Sequence, residues 1–93
     1  MNNLFTIYAP EIEILDQNTT GYTAILLDGV GREHQIEGEY TIENFNFEPH
    51  IRHLSAFNIE TGLEYKDKVL NLIGAELMDT NYTKELLEQG ELK

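Results

Sequence analysis

The sequence predicts an α+β fold, an antiparallel sheet of four to five strands with one or two C-terminal helices packed on one face. Three observations carry this expectation. Residues 33–43 alternate between polar and apolar side chains with a period of two. Asp28-Gly29-Val30-Gly31 supplies a tight hairpin loop between two strand-like runs. Apolar residues from Tyr65 to Leu77 recur at helical spacing, after all the strand-like segments. The 93 residues are expected to form a single domain, strand-rich with an acidic face over 1–60 and mainly helical over 61–90.

Taken in order, residues 4–9 and 11–15 have strand character, and Pro10 between them has no N–H for a ladder. That proline marks a bulge, an edge or a crossing. Residues 16–21 are turn chemistry, and 22–27 read as a central strand with both faces fairly apolar. From Glu33 to Glu43 the odd positions carry Glu33, Glu37, Glu39 and Glu43, while His34, Ile36, Tyr40 and Ile42 point the other way. The expectation is one strand over 33–43 with an acidic outer face. Glu11 and Glu13 repeat the pattern against Ile12 and Ile14. A further strand is expected over 51–58.

Thr61-Gly62-Leu63-Glu64 matches a capping box, which predicts a helix running to about Met78. Its core stripe is Tyr65, Val69, Leu70, Leu72, Ile73 and Leu77. Gly74 weakens that helix, and 69–78 also read as a buried strand. A short last helix over 82–89 is stopped by Gly90.

Charge narrows the functional classes. Six Lys+Arg against seventeen Asp+Glu leave a formal net charge of −11. Such a chain is repelled by nucleic acid and by anionic membranes, so direct binding to either is not expected, and a basic protein surface is the natural partner. No Cys is present, which removes disulfides, thiolate metal sites and cysteine nucleophiles. No leader or membrane-spanning pattern is read near the start, and a cytoplasmic protein is expected.

Catalysis finds little support. His50 and His53 form the one constellation resembling a metal site, but on a strand they face opposite ways, and His34 lies elsewhere. Ser55 is the only serine and lacks a nucleophile elbow. Gly29-Val30-Gly31 is a fragment of a phosphate loop among carboxylates. No catalytic residue, metal or cofactor is expected.

The acids remain to be explained. Residues 33–48 hold Glu33, Glu37, Glu39, Glu43 and Glu48 with no Lys or Arg, and residues 1–31 contain no base at all. Alternate strand residues repeat every ~6.6–6.8 Å, a step comparable to successive phosphates on a nucleic-acid strand. Eleven net charges over roughly 5,500 Å² give only about one per 500 Å². DNA carries one per roughly 100 Å², so a mimic must gather its acids on one side. In size, lack of cysteine and charge layout the chain resembles the small acidic phage-encoded anti-restriction and anti-CRISPR inhibitors that imitate DNA. The resemblance implies a non-enzymatic inhibitor occupying the DNA- or RNA-binding groove of a host nuclease or nucleoid-type protein. The expected partner-binding residues are Glu11, Glu13, Glu33, Glu37, Glu39 and Glu43. The alternative is a small interaction or assembly module whose acidic surface serves solubility only, and an enzyme or metal protein comes third. A homodimer covering Phe45, Phe47 and Tyr82 is also expected.

Overall fold

The computed structural model describes residues 10–90. In chain order the elements are β1 (Glu11–Gln17), β2 (Gly21–Leu27), β3 (Glu33–Glu39), β4 (Thr41–Phe45), β5 (Glu48–Arg52), β6 (Phe57–Asn58), α1 (Lys68–Met78) and α2 (Asn81–Glu88). One antiparallel sheet runs β1-β2-β3-β6, and β4-β5 form a separate two-stranded sheet. The architecture is α+β, with both helices after all the strands. The strand expected over 4–9 lies outside the described residues. Pro10 is exposed at the entry to β1, which stands at the end of the sheet order.

The pleat sorts each strand of the first sheet into two faces. Tyr22, Ala24, Leu26 and Ile36 point inward and are buried with Ile73 and Leu77 of α1. Burying each of these Leu and Ile side chains contributes about 1.5–3 kcal/mol. Helix α1 packs on β1 and β5, and α2 packs on β5, so both helices serve the inner face and the second sheet. The alternative of a strand over 69–78 is thereby settled as helix.

Five sequence expectations need correction. The strand expected over 33–43 ends at Glu39, because Tyr40 turns into the core. The Tyr40 amide donates to the Thr20 carbonyl at 3.0 Å, its hydroxyl donates to the Asn18 carbonyl, and its ring meets Tyr22 edge-on at 6.2 Å. The chain resumes as β4 in the other sheet. The strand expected over 51–58 is two pieces, β5 and β6, separated where His53 adopts a positive φ of 54°.

The capping box at Thr61 is not formed. The Asn58 side chain accepts from the Glu60 and Thr61 amides, Thr61 Oγ1 accepts from the Leu63 amide, and Gly62 turns the chain at φ 74°. A compact turn replaces the helical start, and α1 begins at Lys68. Finally, Tyr82 is half-buried rather than exposed, and Leu72 of the expected core stripe is partly exposed.

A bulge in β1 ties the sheet to α2. The register shifts between Ile14 and Asp16, so Leu15 is the extra residue. Strict alternation would send Gln17 outward. The bulge turns it inward, where its Nε2 donates to the Tyr40 hydroxyl at 3.0 Å and to Thr83 Oγ1 at 2.9 Å. Thr83 is fully buried and donates in turn to the Leu77 carbonyl at 2.6 Å. Thr83→Val keeps the shape but strips the Gln17 amide and the Leu77 carbonyl of a partner. The expected cost is about 1–3 kcal/mol, read as a melting temperature lower by about 4 °C or more.

Candidate acidic docking face

Residues paired across antiparallel strands share a face, so the register fixes what the outer side of the sheet displays. One row is Glu11, Leu27, Glu33, and the next is Glu13, Ile25, Gln35. A third is Asp16, Thr23, Glu37, and Glu39 follows opposite Gly21. Glu11, Glu13, Asp16, Glu33, Glu37 and Glu39 are all exposed, while Ile25 and Leu27 are half-buried. Two lines of carboxylates therefore flank a furrow formed by β2. No Lys or Arg occurs in any strand of this sheet.

The spacing is set by the sheet itself. Adjacent strands lie ~4.7–4.9 Å apart, so backbones carrying the two acidic lines are separated by roughly 10 Å. Three strands of seven residues cover about 320 Å², and six carboxylates over it give one per roughly 50 Å². That is at least the density of a DNA surface, roughly one per 100 Å². Six of the sixteen acids among the described residues stand together on this one face.

Two site residues change. Glu43 is not part of this face. It lies in β4, half-buried, and accepts from Arg52 Nε at 3.2 Å on the paired strand β5. The break at Tyr40 takes it out of line with Glu39. Asp16 joins the face in its place, and period-two reading misses it, because alternation from Glu11 points position 16 inward until the Leu15 bulge reverses it. The other five expected residues, Glu11, Glu13, Glu33, Glu37 and Glu39, share the face.

The β2–β3 loop closes the face at one end. Asp28 Oδ1 accepts from the Val30 and Arg32 amides, both at 2.9 Å, and Oδ2 pairs with His34 Nε2 at 2.7 Å. These bonds, that of His34 foremost, lower the carboxyl pKa to about 2. A carboxyl lowered on folding stabilises the native state above its unfolded pKa, near ~4, and the contribution is lost as pH falls through the folded value. Asp28→Asn is accordingly expected to lower the melting temperature at about pH 6, and the gap from the wild type to close between about pH 4 and 2.

The histidines do not converge. His50 meets the Phe45 ring edge-on at 5.3 Å, whereas His53 Nδ1 lies 3.0 Å from Thr41 Oγ1 and is exposed. Among the described residues no three His, Asp or Glu side chains are grouped to hold a metal. Among them, too, no helix is long and apolar enough to cross a membrane.

Tyr22 stands where the sheet meets the loop after β5. Its hydroxyl donates to the Ser55 carbonyl at 2.7 Å, and burial raises its pKa far above the usual phenol value. No protein-family model, curated protein or solved structure matches the chain.

Proposed function

We propose that this protein is a non-enzymatic inhibitor whose outer sheet face occupies the nucleic-acid-binding surface of a basic protein, a nuclease or nucleoid-type DNA-binding protein. The observation that carries the reading is the pair of carboxylate lines, Glu11-Glu13-Asp16 and Glu33-Glu37-Glu39, on a face whose strands contain no Lys or Arg. Glu11, Glu13 and Asp16, and likewise Glu37 and Glu39, follow one another at a near-phosphate step, with Glu33 two steps from Glu37 across Gln35, and the rigid sheet holds them without the entropy loss that ordering a flexible acidic tail requires. Ile25 and Leu27 in the furrow supply apolar contact that phosphates lack, so the complex gains a component that salt does not screen.

Competition tests the reading. Immobilised protein captures basic partners from a host lysate at low salt, and the column is then washed with duplex DNA or with salt of equal ionic strength. DNA is expected to release the captured protein where matched salt does not, and the purified partner is expected to lose DNA binding in proportion to added inhibitor. A partner that holds DNA and this protein together overturns the proposal.

A further inference from the structure

The β4–β5 hairpin is closed by Asn46-Phe47, and both residues have positive φ, 55° and 65°. That is the pattern of a type I′ turn, for which Asn-Gly is the favoured pair. Asn46 fits. Phe47 occupies the glycine position, where a bulky side chain is a conformational outlier. It is also 89% exposed, whereas Phe45, 56% exposed, meets His50 on the hairpin face turned away from Ile51 and α1. The tip thus carries backbone strain and an apolar ring in water, and a glycine at position 47 would remove both. Strain held at an exposed aromatic, with no packing among the described residues to compensate it, marks a contact made with something else.

The surface beside the tip has a shape and a charge. From Glu48 onward the hairpin and α1 enclose an open groove of about 490 Å³ lined by Glu48, Pro49, Ala75, Glu76, Met78 and Asp79. Pro49, Ala75 and Met78 form an apolar floor, and the three carboxylates stand around it, with Asp79 partly balanced by Lys84 at 3.1 Å. We propose that the Phe47 tip and this groove form a second docking surface for a basic amphipathic helix of a partner protein. The tip rests on the helix's apolar stripe. One apolar side chain sits over Ala75 and Met78, and Lys or Arg face Glu48 and Glu76. A second copy of this chain is the wrong occupant, because it would bring the same carboxylates together at −11 per chain. The inference is independent of the inhibitor reading, since it uses neither the outer sheet face nor its acids.

The probes are three synthetic helical peptides: an amphipathic Leu/Lys sequence, a Leu/Glu counterpart, and a Lys/Ser sequence of the same charge. Binding is followed by fluorescence anisotropy and by backbone amide shifts. The Leu/Lys peptide is expected to bind, shifting amides at 45–49 and 74–79, and the other two are expected to bind at least tenfold more weakly. Phe47→Asn, which tolerates the left-handed backbone, is expected to raise the melting temperature while weakening the Leu/Lys peptide at least tenfold. Glu48→Gln with Glu76→Gln is expected to weaken it severalfold at unchanged melting temperature. Equal binding of the Lys/Ser peptide, shifts confined to 11–16 and 33–39, or full affinity in Phe47→Asn each overturn the proposal. So does a wild-type dimer that Phe47→Asn dissolves.

Discussion

Gly38→Ala is expected to be among the most destabilising single-methyl changes in the chain, costing about 3 kcal/mol or more. A Cβ at position 38 falls 1.9 Å from the Ser55 carbonyl oxygen and 2.8 Å from the Tyr22 hydroxyl. The obstacle is backbone, which cannot rotate aside as a flexible side chain does. Ser55 is held there at its carbonyl, amide and hydroxyl: its carbonyl accepts from Tyr22 at 2.7 Å, its amide donates to the Glu39 carbonyl at 2.9 Å, and its Oγ accepts from the Glu39 amide at 3.0 Å. Accommodating the methyl group means pushing the 53–56 loop off β3, and Ala56, wholly buried in the core, moves with it. A domain of this size holds roughly 5–14 kcal/mol in total, so the loss is a large share.

Urea denaturation reads it as a lower midpoint at an unchanged slope. Gly62→Ala is the control. Its φ of 74° disfavours a side chain, but nothing stands within 4 Å of the new Cβ, so about 1 kcal/mol is expected. Similar losses at both positions would show that the 53–56 loop yields to the methyl group, because Gly38, unlike Gly62, has no positive φ to lose.

These two glycines show where the sequence was legible and where it was not. Local rules read well: alternation located β3, Asp28-Gly29-Val30-Gly31 closed its hairpin, and Gly90 ends α2 with a φ of 73°. What failed depended on partners distant in the chain. Alternation runs on through Tyr40 and Ile42, so nothing nearby says that β3 stops. The stop comes from Asn18 and Thr20, which receive the Tyr40 hydroxyl and amide. Thr61 and Glu64 have capping spacing, yet Asn58 and Ala56 claim that stretch first, Ala56 by accepting from the Tyr65 amide at 2.9 Å.

The acidic face was legible to the same extent. Five of its six acids follow from alternation within single strands, and their common side follows from the register of three. Asp16 depends on a bulge that composition does not announce, and Glu43 was lost with the break at Tyr40. The Phe47 turn was hidden for a related reason. Its hairpin lacks the glycine by which such loops are recognised, and that missing glycine is what makes the tip a candidate contact.

The charges of the face are expected to act as a set. Replacing Glu33, Glu37 and Glu39 by Gln keeps strand, length and register while removing one of the two acidic lines. Folding is expected to survive and to strengthen slightly at low salt, because Glu37 and Glu39 repel across ~6.7 Å by about 0.6 kcal/mol. Affinity for a captured basic partner is expected to fall by roughly 10- to 150-fold, taking about 0.5–1 kcal/mol for each exposed pair. The dependence of binding on salt is expected to become shallower by a matching number of ion contacts. The comparison is Asp67→Asn with Glu85→Gln and Glu88→Gln, three exposed acids of the helical half, which change net charge equally and lie off the face. If the face binds, this second triplet costs a few-fold at most. Equal losses would assign the effect to net charge, and the inhibitor reading would fall. A loss from neither triplet would leave the carboxylate lines with solubility as their role. Unfolding of the Glu33/Glu37/Glu39 variant would contradict the register that sets these side chains outward.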